Sequence, residues 1–130
     1  MSSVWNPVGG GAGTVTQYAI SLVGQNAAIP LTNVFTAPSN AQGLYRITVE
    51  ATTTQAGTGG AVTPTITWNN NYGQPSVNAP TLDLTGLGNE VSSIFNCYLF
   101  ATDTVSYSTA VSGITGTPQY SLNIRIEYLG

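Results

Sequence analysis

The sequence contains no histidine and no lysine, and Arg46 and Arg125 are its only cations. Without histidine, a serine or cysteine nucleophile has no ready general base. One cysteine and no histidine also fall short of a zinc site. Two cations in a chain of net charge −3 cannot supply the many phosphate contacts on which nucleic-acid affinity rests. Cys97 is alone, so no internal disulfide forms. No apolar run approaches a membrane span. The start, "MSSVWNPVGGGAG", lacks the basic and apolar regions of a signal peptide, so the chain is expected to be made in a cytoplasm and to leave it only as part of a particle. No Asn-x-Ser/Thr sequon occurs.

Charged residues make up 5% of the 130 residues, against about 25% in ordinary globular proteins. Thr, Ser, Asn, Gln and Gly take their place. The chain is 42% hydrophobic, enough to offset the entropy of ordering and to exclude disorder. A neutral polar surface is poor protection for a freely diffusing monomer. A surface covered by neighbouring subunits needs less of it.

Residues 1–14 read as a flexible arm, broken by Pro7 and "GGGAG", that carries one aromatic, Trp5. Residues 15–130 read as one domain of short period-two segments separated by turns. Tyr18, Ile20 and Leu22 alternate before Gly24–Asn26, and "IPLTNVFTAP" is a short extended piece. In "GLYRITVEATTTQAGTGG", Tyr45, Ile47, Val49 and Ala51 alternate with Arg46, Thr48, Glu50 and Thr52. Val62, Ile66 and Trp68 follow, then the turn "NNNYG". Pro80 interrupts Val77–Leu84, which marks an edge or a bulge. "VSSIFNCYLFA" (91–101) is apolar on both faces, as in a central strand covered on each side. "TVSYSTAV" and "YSLNIRIEYL" close the chain. No stretch holds the 3.6-residue period of an amphipathic helix. Strands at this spacing predict an all-β, two-sheet antiparallel sandwich. The jelly roll and the immunoglobulin-like arrangement both fit, and the missing Cys…Trp…Cys pattern favours the jelly roll. Tyr45, Ile47 and Val49 are expected in the core, with Phe95, Leu99, Leu122, Ile124 and Ile126.

Five scattered acids produce carboxylate pairs by chance, so Glu50, Asp83, Glu90, Asp103 and Glu127 do not single out a glycosidase pair. No acidic loop gathers calcium ligands. Neither Gly-rich stretch is followed by the Lys and helix of a phosphate cradle. No enzyme and no cofactor are therefore expected. Two constellations remain. Trp68, Asn70 and Tyr72 surround a polar turn, a composition able to stack on sugars; a hairpin tip with one core Trp is the plainer reading. Arg46 and Glu50 project from one face of their strand, and Arg125 and Glu127 do so from another. If those strands pair, the four can cross-link, and together with Thr48 they mark a face expected to meet protein. Trp5 either packs back on its own domain or anchors a second attachment to a partner through the arm, and the anchor is the expectation carried forward.

The segments "FTAP…GLYRITVEATTTQAGTGG…PTITW" and "VSYSTAVSGITGTPQYSLNIRIEYL" resemble a recurring type of tailed-bacteriophage virion protein, from Phe35 onward. The "FTAP…GLY" element is also similar to trimeric jelly rolls of the tumour-necrosis-factor and C1q group. The resemblance implies a virion structural protein, a homotrimer that binds the major capsid protein as a decoration or cement protein. The alternative is a tail or receptor-binding module contacting host glycans. No nucleic-acid or membrane partner is implied.

Overall fold

The computed structural model describes residues 15–70 and 72–130. The expected arm, with Trp5, lies outside the described residues.

Nine strands follow in chain order: β1 (Val15–Gln25), β2 (Ile29–Thr36), β3 (Gly43–Gln55), β4 (Gly59–Asn69), β5 (Ser76–Asn78), β6 (Leu82–Asp83), β7 (Glu90–Leu99), β8 (Thr104–Thr115) and β9 (Gln119–Tyr128). The one helical turn among the described residues is a 3-10 turn at Ser39–Ala41. Sheet I has the order β1-β9-β3-β7 and sheet II the order β2-β8-β4-β5, with β6 also on β4. Every pairing is antiparallel. The chain crosses between sheets instead of running hairpin by hairpin, and the result is a jelly-roll-like sandwich.

The alternation seen in the sequence sets which face is buried. In β3, residues 45, 47, 49 and 51 are buried while 44, 46, 48 and 50 are not. Tyr45, Ile47, Leu122, Ile124 and Ile126 of sheet I meet Val62, Ile66 and Val105 of sheet II, all at 2% exposure or less. Burying each such aliphatic side chain is worth about 1.5–3 kcal/mol. Phe95 is half-buried, stacked on Trp68 across the two sheets at a centroid distance of 5.4 Å. A buried polar chain also spans the sandwich. The Tyr120 hydroxyl donates to the Ala27 carbonyl (2.8 Å) and shares a 2.7 Å bond with Thr109. Thr109 Oγ1 in turn accepts the Ile29 N–H at 2.8 Å. Burial pushes the Tyr120 phenol above its ordinary value, so it stays a neutral donor.

One expectation is corrected. The 91–101 segment is not a central strand: β7 lies at the edge of sheet I, with β3 on one side only. Its inward row (Val91, Phe95, Cys97, Leu99) packs on the core, while its outward Ile94 and Tyr98 are exposed. Sequence periodicity reports burial only when the outward row is polar, and here that row includes Ile94 and Tyr98, which no other described residue covers.

Candidate interaction surface

The outward face of sheet I is built in rows by strand register. Arg46 stands opposite Glu127 on one side and Asn96 on the other. Thr48 lies between Arg125 and Ile94, and Glu50 between Asn123 and Ser92. Thr52 faces Glu90. Of the two cations and five acids in the chain, all but Asp83 and Asp103 stand on this face.

β3 and β9 do pair, yet the four charged candidates form no single network. Arg46 Nε donates to Glu127 Oε1 at 3.0 Å, with the Arg46 side chain 40% exposed and Glu127 11% exposed. Half-open pairs of this kind contribute about 0–1 kcal/mol. Glu50 receives Asn123 Nδ2 at 3.5 Å, the outer limit of a hydrogen bond. Diagonally across the β3–β7 ladder it meets Glu90, and a hydrogen bond and charge repulsion from Glu50 hold the Glu90 carboxyl above the usual carboxylate range. Arg125 is exposed and has no ion pair among the described residues. An open depression of about 460 Å³ lies beside it, lined in part by Ser21, Thr48, Glu50, Asn123 and Arg125.

The same face carries apolar side chains that sequence reasoning did not single out. Ile94 is 65% and Tyr98 50% exposed, and Leu44, opposite Tyr98, and Phe100 are each 38% exposed. Tyr98 and Phe100 pack together at 4.8 Å. The signal was present as the outward row of "SIFNCYLF", but strand order decides whether that row is covered.

The three residues of the alternative glycan reading do not share a platform. Trp68 is turned inward onto Phe95. Tyr72 is 91% exposed, and its N–H donates to Asn70 Oδ1 at 2.8 Å in a local turn. Cys97 is buried, and burial pushes its thiol up to about 12, which leaves almost no thiolate for chemistry at neutral pH.

No protein-family model matches the sequence, and no curated protein matches it. Among solved structures, the chain is similar to the PRD1 vertex protein P5, with 17% identity, a TM-score of 0.57, and coverage of 92% of this chain and 100% of that one. It is similar to the globular domain of a zebrafish complement 1qA protein at 12% identity and TM-score 0.51, covering 82% and 94% of the two chains. A third likeness is the EclA C-terminal domain, a sugar-binding protein, at 14% identity and TM-score 0.50, covering 92% and 86%. At these identities the likeness is one of fold, and that fold is the jelly-roll-like sandwich.

Proposed function

We propose that the chain is a structural virion protein that decorates a capsid, self-associating as a homotrimer and binding the major capsid protein through the outward face of sheet I. It catalyses no reaction and holds no cofactor. The observation that carries this reading is the composition of that face. It concentrates five of the seven charged residues of a charge-poor chain beside exposed Ile94, Tyr98 and Leu44, the mixture of apolar anchors and specific polar contacts found at protein interfaces. The fold likeness to a vertex protein and the sequence resemblance to phage virion proteins and to trimeric jelly rolls support the same reading. Cryo-EM of the particle tests it. The expected result is many copies on the head lattice with sheet I turned toward coat subunits. A few copies at a tail tip would overturn it in favour of the second reading.

That second reading is a tail or receptor-binding module contacting host glycans. It is favoured by one observation, the almost fully exposed Tyr72 beside the Asn70–Gly73 bridge. Its test is glycan binding by the intact chain, lost in Tyr72→Ala and retained in Ile94→Ser.

A further inference from the structure

Among the described residues, the free edges of the two sheets are not alike. β1 is interrupted by register shifts between Thr16 and Tyr18 and between Leu22 and Gln25. β2 carries Pro30 and two register shifts of its own. The far side of β4 is covered by β5 and β6, of three and two residues, with Pro75 and Pro80 beside them. Bulges, prolines and short edge strands are the devices by which β proteins keep exposed backbone from pairing with other chains. β7 has none of them. It runs ten consecutive residues in unbroken register with β3, from Glu90 to Leu99, without proline, lysine or arginine. Its outward row, Ser92, Ile94, Asn96 and Tyr98, is exposed throughout.

We propose that this edge pairs with β7 of a second copy of the chain, antiparallel, about a two-fold axis at Asn96. Charge decides the direction. A parallel pairing in register stacks Glu90 on the Glu90 of the second copy, whereas the antiparallel one sends them to opposite ends. Apolar matching decides the register. With Asn96 opposite its own copy, Ile94 falls opposite Tyr98 of the second copy, and the symmetry makes this contact twice. Pairs of an aromatic with a β-branched residue are among the favourable cross-strand combinations, and two facing asparagine amides donate and accept reciprocally. Phe95 falls opposite Cys97 on the inward side, and Glu90 lies beyond the overlap, in water. A register centred on Ile94 instead sets Glu90 against Tyr98 and leaves Phe100 uncovered.

Edge pairing alone is small beside the roughly 800 Å² per partner of a standard interface. It therefore acts where copies are crowded, as on a particle surface, where effective concentrations reach the millimolar range. The inference adds an edge contact to the self-association proposed above, but it does not depend on the trimer, because it needs only β7 of two copies, and it engages Ile94 and Tyr98 of the outward face.

Cysteine cross-linking of the full chain at high concentration tests it. A two-fold axis at Asn96 places the two Cα atoms about 4.5–5.5 Å apart, within the range a disulfide spans. Asn96→Cys is therefore expected to form a covalent dimer under mild oxidation. Ile94→Cys, offset from its own copy by about 13 Å along the strand, is expected to stay uncrosslinked, as is the wild-type chain with its inward Cys97. Adding Ile94→Lys to the Asn96→Cys chain should abolish the dimer with the circular dichroism unchanged. The inference is overturned if Asn96→Cys remains uncrosslinked, if Ile94→Cys cross-links as fully, or if the Lys variant still dimerises. Light scattering separates this from the trimer. A three-chain mass without the Asn96→Cys cross-link overturns the edge alone, and a cross-linking chain of single-chain mass overturns the trimer alone.

Discussion

The two outer faces of the sandwich solve the same problem differently. Sheet II exposes hydroxyls and amides: Thr63 bonds Thr81 at 2.8 Å and Thr65 bonds Asn78 at 2.9 Å. No charged residue stands on β2, β4, β5 or β8; β6 carries Asp83, and Leu31 and Ile114 are the exposed large apolar side chains of these strands. Sheet I carries the Arg46–Glu127 pair, the Glu50–Glu90 pair, Arg125 with no ion pair among the described residues, and large apolar side chains. Short hydroxyl side chains that satisfy one another are adequate cover for a face that meets water, at little entropic cost. Long charged and aromatic side chains on one face are what the proposed contact through sheet I would use. The Thr-rich character of the chain, read along the sequence as a sign of interfaces, belongs as much to the solvated sheet as to the proposed binding one.

The comparison holds for the outer faces and should vanish in the core. Ile47 of sheet I and Ile66 of sheet II are both fully buried. Replacing either by Ala is expected to cost about 2–5 kcal/mol, from lost transfer energy and the cavity left behind. Chemical denaturation checks this; a midpoint that moves for one and not the other would mean that one sheet contributes little to a shared core.

A second perturbation strikes only sheet I. Gly43 has φ +151°, and a Cβ there would lie 2.9 Å from the Gly130 carbonyl carbon. Gly43→Ala forces the start of β3 away from the end of the chain, at an expected cost of about 1–3 kcal/mol. A thermal melt unchanged from wild type would show that the C-terminal residues yield freely.

The outer faces are separated by a matched pair of substitutions. Thr48→Lys places a long cation beside Arg125 on sheet I, and Thr65→Lys does the same to a neutral position on sheet II. The first is expected to weaken assembly by more than about tenfold, or 1.4 kcal/mol, with the fold retained. The second should leave assembly unchanged. Sedimentation with undecorated capsids, alongside light scattering of the chain alone, measures both. Equal effects would remove the distinction between the faces.

Much of the architecture was legible in the sequence, and the limit is instructive. The alternation of Tyr45, Ile47 and Val49 with Arg46, Thr48 and Glu50 was enough to identify the inward row, because one face is apolar and the other is not. Leu122, Ile124 and Ile126 were readable for the same reason. Strand 90–99 was not, because both of its faces carry large apolar residues and only the sheet order, which depends on contacts distant along the chain, says that among the described residues no strand flanks its outer edge. The same gap hid the candidate surface. Arg46 and Glu127 are 81 residues apart, and which cation meets which acid follows from a register that local pattern does not encode. Trp68 shows the converse: its place in the period-two row of Val62 and Ile66 made a core position the plainer reading over a sugar-stacking platform, and it does turn inward onto Phe95.

The smallest expected effect sharpens the contrast within sheet I itself. Glu127 has a cation at 3.0 Å, whereas Glu90 has another carboxylate, and its folded-state pKa is raised, first by the hydrogen bond to Glu50 and then by that group's charge. A carboxyl whose folded value is raised binds its proton more tightly in the native state. The mutual repulsion therefore penalises the fold at pH values above the raised folded value. It fades as the pH falls through that value, and is gone below the ordinary glutamate pKa of about 4.3. Because both side chains are open to water, the penalty is small. Glu90→Gln should raise the melting temperature slightly at pH 7 and have no effect near pH 3.5, where Glu90 is already protonated in the wild type. Glu127→Gln should do the opposite at pH 7, lowering stability by about 0–1 kcal/mol through loss of the pair with Arg46. Melts of both variants at the two pH values measure the difference. If Glu90→Gln is destabilising at pH 7, the hydrogen bond between the two side chains outweighs their repulsion, and the contrast between Glu90 and Glu127 disappears.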